Sequence, residues 1–176
     1  MGALTSRPAG EGDIAAITAI YAEQVLYGTA TFEIVPPEEA EIARRMAALV
    51  DAGYPYFVAE RDGRVLGYGY AGPYHSRPAY RNTVEDSIYL APEARGQGIG
   101  GMLLRLLIDE CAARRFRQIV AVIGDSQNMA STRLHHAAGF TLVGTLKSVG
   151  FKHGRWLNCV MMQLAVGAGD LSDPDR

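Results

Sequence analysis

Between Thr83 and Leu107 the chain reads T-V-E-D-S-I-Y-L-A-P-E-A-R-G-Q-G-I-G-G-M-L-L-R-L-L. Few folds accommodate such a stretch. Val84, Ile88, Tyr89 and Leu90 favour a strand, and Pro92 ends it because it cannot donate to a ladder. Four glycines follow, at 96, 98, 100 and 101. An apolar run from Met102 then has the periodicity of a helix. A helix that begins in glycines presents unpaired N–H groups with no side chains in the way, and its dipole adds positive potential. The expectation is a strand, a loop and a helix N-terminus that hold a phosphate or diphosphate.

Two familiar phosphate loops fit poorly. Gly96-Gln97-Gly98-Ile99-Gly100-Gly101 satisfies the dinucleotide spacing, with Ile119 to Ile123 as the next strand and Asp125 near the position of a ribose-binding acid. Yet Ala91 to Arg95 separate strand from glycines, and a dinucleotide domain would use most of the chain. The Walker pattern fails because no Gly-Lys-Ser/Thr follows.

At 176 residues the chain is long enough for one domain with a substantial core and short for two. The boundaries expected are 1–166 for the domain and 167–176 for a loose, acidic tail. A net charge of −2 gives no general attraction to nucleic acid or to an anionic membrane. No apolar run approaches the ~18 residues of a spanning helix, and no signal peptide is visible. Two cysteines, Cys111 and Cys159, predict buried thiols in a reducing cytoplasm and no metal site.

Taken in order, Leu4 to Pro8 reads as a strand. Asp13 is the expected side-chain cap of a helix from Ile14 to about Tyr27. Pro36 to Glu39 open a second helix over Ala40 to Ala52. Asp62-Gly63 between two β-rich runs signals a hairpin, and Gly72 to Arg81 reads as a loop. After the glycine helix come the strand from Gln118, a helix begun by Asp125 to Asn128 and stopped by Gly139, and two β runs. Those runs are Thr141 to Ser148, and Phe151 to Leu164 around a turn at His153-Gly154. The class is α/β, with strands and helices mixed in one domain.

Arg95-x-x-Gly98-x-Gly100 after a strand resembles the signature of the GCN5-related N-acetyltransferases. Asn128-x-Ala130-Ser131-x-x-Leu134-His135-x-x-x-Gly139-Phe140 is similar to a second cofactor block of that superfamily. Thr31-Phe32, Pro73 to Arg81, Thr83 to Tyr89 and Gly150 to Trp156 together look like its phosphinothricin and methionine sulfoximine N-acetyltransferases. The resemblance implies a mixed, mostly antiparallel sheet of about seven strands flanked by about four helices. It also implies acetyl-CoA as co-substrate, a small amino-acid-like acceptor and a homodimer. Ile88, Tyr89 and Leu90 would meet the pantetheine arm. Arg95, Gly96, Gln97, Gly98, Ile99, Gly100 and Gly101 would hold the pyrophosphate, with Asn128 and Ser131 on the other side. Glu85 would be the general base, and Phe32, His75, Ser76, Arg77, Tyr80, Asp86 and Ser87 would surround the acceptor.

The residues support the chemistry separately. An α-ammonium must lose a proton before it attacks a thioester, and Glu85, in an apolar-flanked strand just ahead of the cofactor arm, would have the raised pKa that this needs. The planar fork of Arg77 suits a carboxylate, and His135, which by the resemblance stands where the family usually carries a Tyr, would protonate the leaving thiolate. Two other functions remain open: acetylation of a protein N-terminus or polyamine, and a binding module that takes up acetyl-CoA without turnover.

Overall fold

The computed structural model describes residues 2–174. Seven strands form one sheet in the order β1-β2-β3-β4-β5-β7-β6. They are β1 Thr5–Pro8, β2 Tyr56–Arg61, β3 Arg64–Pro73, β4 Thr83–Leu90, β5 Gln118–Gly124, β6 Thr141–Lys152 and β7 Arg155–Ala165. Every pairing is antiparallel except β4 with β5. Four helices accompany them: α1 Ile14–Tyr27, α2 Glu39–Asp51, α3 Ile99–Ala113 and α4 Met129–Ala137. The β4–α3–β5 unit is the crossover that a parallel pair requires.

The alternation in β3 decides which helix covers which face. Gly67, Gly69 and Ala71 point one way, Tyr68 and Tyr70 the other. A Cβ on Gly69 would lie 3.1 Å from Leu107 Cδ1, and one on Gly67 would lie 2.9 Å from the carbonyl oxygen of Tyr89. Gly69 therefore admits α3 against the sheet, and Gly67 admits the close approach of β4. The tyrosine face takes α1, where Tyr21 meets Tyr89 edge-on at 5.1 Å. Ile17, Val25, Val58, Leu103, Leu104, Leu107, Phe116 and Phe140 are buried in the resulting core.

The hairpin at Asp62-Gly63 forms with both residues at positive φ, 53° and 74°, the conformation that a tight two-residue turn demands. Three expectations need correction. Asp13 precedes α1 but makes no side-chain cap; its carboxylate binds the Arg7 guanidinium at 2.7 Å and the Gly10 N–H instead. The β run expected to stop at Ser148 continues to Lys152 as one strand. Ser148 takes positive φ, and the register shifts on either side of Leu146 are absorbed without ending the pairing. The segment after 166 is held rather than loose: Arg117 donates to the carbonyls of Gly169 and Asp173 and to Ser172 Oγ. The last two residues of that expected tail lie outside the described residues. Among the described residues no helix is long and apolar enough to cross a membrane.

Candidate active site

The site begins where the sheet splits. β4 and β5 pair only from Thr83 with Gln118 to Asp86 with Ala121. Beyond that point β4 stays with β3 as far as Leu90, and β5 stays with β7 as far as Gly124. The two parallel strands therefore part and leave a cleft of about 730 Å3. Ser87 to Leu90 form one wall, and Val122 to Gly124 the other. Along the first wall the backbone is laddered on the β3 side alone, so the polar groups turned to the cleft are free for an extended ligand.

The glycine loop closes one end. Gly96 and Gly98 have φ of 74° and 80°, and a Cβ at either would meet nothing within 4 Å. Glycine is needed there for conformation, not for space. Gly98 starts α3 with no side-chain cap, which leaves the first-turn N–H groups of Ile99, Gly100 and Gly101 to a ligand. Arg95 lines the cleft and is held by Glu23 at 2.8 Å. The Gln97 side chain braces the outside of the loop, donating to the Glu93 carbonyl at 2.7 Å and accepting from Arg61. At the other end Asn128 caps α4 by accepting from the Ser131 N–H; both residues line the cleft. The donor set suits a diphosphate at the loop and an extended amide-bearing arm along β4.

Strand alternation sorts the remaining residues. Glu85 and Ser87 share the face that carries Tyr70, whereas Asp86 lies on the opposite face. Asp86, grouped in the sequence with the acceptor residues, instead meets His135 of α4 on the cofactor side. Asp86 Oδ2 is 2.9 Å from His135 Nε2, and the two residues are 6% and 4% exposed. His135 Nδ1 donates to the Ser131 carbonyl at 2.8 Å. Burial opposes a charge on His135, but the hydrogen bond and charge of Asp86, with the Ser131 carbonyl, outweigh it and raise its pKa. Both ring nitrogens are engaged, so the ring is fixed on the cleft wall.

Glu85 is half-buried, and its pKa is pushed up to about 7, first by burial and then by the charge of Asp86. It does not line the cofactor cleft itself; Ser87, two residues on along the same face, does. The Phe32 ring lies over Gly124 and Gly150, at distances that a Cβ on Gly150 would violate. His75, Ser76, Arg77 and Tyr80 are exposed on the turn between β3 and β4, where the rings of Tyr74, His75 and Tyr80 cluster at 4.1–5.8 Å.

Sequence reasoning passed over Val122 to Gly124, Gln24, Thr29 and Ala30, all of which line the cleft. Most contribute backbone or small side chains, and only the parallel pairing of β5 with β4 pointed to that wall. Asp125, a candidate ribose ligand on the dinucleotide reading, is bound by Arg155 and by the Gln127 N–H, so it anchors the loop. Lys152 is buried and donates to the Thr31 carbonyl at 2.8 Å, tying the β6–β7 hairpin to the segment that carries Phe32.

A sheet split between two parallel strands, with a glycine-started helix at the mouth and a half-buried carboxylate beside it, defines a group-transfer enzyme of the N-acetyltransferase kind. The chain belongs to the Acetyltransferase (GNAT) family, whose model matches residues 17–140, and it is an acetyltransferase. It is 54% identical over 173 residues to a phosphinothricin N-acetyltransferase of Alcaligenes faecalis, covering 98% of this chain and 88% of that one. Identity is 43% to an L-methionine sulfoximine/L-methionine sulfone acetyltransferase of Salmonella typhimurium, over 92% of this chain and 94% of the other. A solved phosphinothricin acetyltransferase of Sinorhizobium meliloti, in complex with acetyl-CoA, superposes with a TM-score of 0.96 at 49% identity, covering 98% and 94% of the two chains.

Proposed function

We propose that the enzyme transfers an acetyl group from acetyl-CoA to the α-amino group of a small amino-acid analogue such as phosphinothricin, methionine sulfoximine or methionine sulfone. The observation that carries this is the placement of Glu85. It is a carboxylate with a pKa of about 7, on the face of β4 turned from the His135 pair and adjacent to the open strand edge. At neutral pH about half of it is ionised, the state in which it can take a proton from an incoming ammonium.

The acceptor nitrogen, once neutral, attacks the thioester carbonyl. Its proton resides on Glu85, the C–N bond forms, and charge develops on the carbonyl oxygen. A backbone N–H of the unladdered edge near Leu90 stabilises that oxygen. Collapse breaks the C–S bond and releases the coenzyme A thiolate. The Nε2–H of the His135 imidazolium, released from Asp86 Oδ2, supplies the proton, and water then returns one to the ring. Arg77, exposed beside the acceptor face, pairs with the α-carboxylate. His75, Ser76, Tyr80, Phe32 and Ser87 shape the pocket around it.

The enzyme works as a homodimer in the cytoplasm. Leu142, Val143, Leu146, Val149, Phe151 and Trp156 of β6 and β7 are each more than half exposed. Such a run of exposed apolar side chains at a sheet edge is a surface that a second copy of the chain would cover. Cys111 and Cys159 are buried and unpaired, which suits a reducing compartment. An acetyl-CoA consumption assay across phosphinothricin, methionine sulfoximine, methionine sulfone, ordinary amino acids and a polyamine tests the substrate class. Turnover confined to the polyamine, or none with any α-amino acid, rejects it. Sedimentation equilibrium at micromolar concentration tests the dimer.

A further inference from the structure

A second cavity lies away from the cleft, on the tyrosine face of the sheet. Tyr56, Tyr68 and Tyr70 stack with near-parallel rings, Tyr56 to Tyr70 at 4.9 Å and Tyr56 to Tyr68 at 5.9 Å between centroids. Between this stack and α2 is a space of about 300 Å3, closed by Tyr21, Ile42 and Leu49 with Ala48 at its edge. It shares no lining residue with the cofactor cleft.

Two of its phenols are unusual. Tyr21 satisfies its hydroxyl with Thr31 at 2.8 Å and Glu33 at 3.0 Å. Tyr56 and Tyr68, 7% and 1% exposed, make no hydrogen bond to any described residue, yet neither oxygen is sealed from open space. Buried phenols ordinarily find a partner, because an unmade hydrogen bond costs stability. Burial also raises both pKa values, so each remains an O–H donor. The charges at the rim are mutually neutralised: Arg44 and Arg45 both bind Glu41 at 2.7 Å, and Arg45 also binds Glu33 at 2.6 Å. The cavity thus offers flat aromatic walls, two idle donors at its buried end and no unpaired charge.

We propose that this cavity is a second ligand site, for a small, flat, uncharged aromatic molecule whose buried end carries a hydrogen-bond-accepting oxygen. The oxygen accepts from Tyr68 and Tyr56, and the ring packs on the tyrosine stack. Tyr70 is the wall shared with the catalytic side, since it pairs across the ladder with Ser87.

Acetophenone and ethylbenzene form a matched pair of probes, similar in shape, of which only the first has an accepting oxygen. Ligand-observed NMR titration of the intact protein should show saturable binding of acetophenone, tighter than that of ethylbenzene. Tyr68→Phe, which keeps the ring, should weaken acetophenone about fivefold, the loss of one hydrogen bond, and leave ethylbenzene unchanged. Ala48→Trp, at the exposed edge, should abolish binding of both. Melting curves confirm that each variant folds. Absence of saturable binding to the unmodified protein, indicating that the phenols are met by water alone, overturns the proposal. So does acetophenone binding that is indifferent to Tyr68→Phe or to Ala48→Trp.

Discussion

Replacing Glu85 by Gln should destroy activity and stabilise the protein, and the second effect should depend on pH in a way the first does not. The Glu85 carboxyl has an ordinary value of 4.5 and sits at about 7 in the fold. A carboxyl whose folded pKa is raised ionises first in the unfolded chain. Between pH 4.5 and 7 the unfolded state therefore releases this proton while the native state keeps it, and stability falls as pH rises. Above pH 7 the full cost is present. Converted directly, the shift corresponds to roughly 3 kcal/mol; the partial exposure of Glu85 reduces this to about 2 kcal/mol. Glutamine has nearly the same shape and no charge, so Glu85→Gln should melt roughly 5 °C higher than the parent at pH 8. At pH 5, just inside that window, the gap should shrink to about a quarter of its pH 8 value. Thermal unfolding at both values measures this, and steady-state assays should show a loss of about 10²–10⁴ in kcat. In the parent, kcat/KM should rise with pH through an inflection near 7. A melting difference equal at pH 5 and pH 8 would refute the burial argument, and retained turnover in Glu85→Gln would refute the base.

Three further substitutions probe the geometry around that carboxylate. Gly67→Ala would bring a Cβ within 2.9 Å of the Tyr89 carbonyl oxygen and 2.4 Å of Leu90 Cδ2. The strand edge must shift, so we expect a loss of about 1–3 kcal/mol by denaturant unfolding and a raised KM for acetyl-CoA. Gly150→Ala would put a Cβ 2.2 Å from Phe32 Cε1. Because that ring is 40% exposed and can yield, stability should change by less than ~1 kcal/mol while KM for the acceptor rises and KM for acetyl-CoA does not. His135→Gln strands Asp86 in a buried position and should cost about 3–5 kcal/mol. His135 has a raised folded pKa, so its stabilising charge is fully present below its unfolded value and is lost as pH rises through the folded value. The gap between parent and variant should be widest in mild acid and should narrow towards alkaline pH.

The parts of the molecule legible in its sequence are those in which one residue type has one physical use. Asp62-Gly63 could only be a tight turn, and four glycines before an apolar helix could only leave backbone amides bare. The class of the fold followed from the strand and helix periodicities, and its particular topology from the family resemblance. The errors have a common origin, in side chains whose partners are distant in sequence. Asp13 has the composition of a helix cap, but Arg7 and Glu60, brought together by the β1–β2 pairing, engage the local charges first. The strand passes Ser148 although positive φ is costly for a non-glycine residue; the Asn158 side chain, which accepts from its N–H at 3.0 Å, holds it in place.

The case of Asp86 is more instructive, because the sequence contained the means to place it. Glu85 and Asp86 are adjacent in a strand, and a strand cannot turn neighbours to the same face. Once Glu85 is assigned to the acceptor side, Asp86 must face the helices behind the sheet, where a buried carboxylate needs a cationic or donating partner. His135, on the helix packed over β5, is the residue that answers. The pair then acts on Glu85 from across the strand, since the charge of Asp86 adds to burial in lifting the neighbouring carboxyl. Two adjacent acids are thus driven apart in role by the pleat alone: one is bound by histidine on the far face, and the other is left with a pKa of about 7, where it can accept a proton from an amine. Swapping the acid of position 86 for Asn should move the activity inflection of Glu85 to lower pH, whereas a purely structural role for the pair would lower stability and leave that inflection where it was.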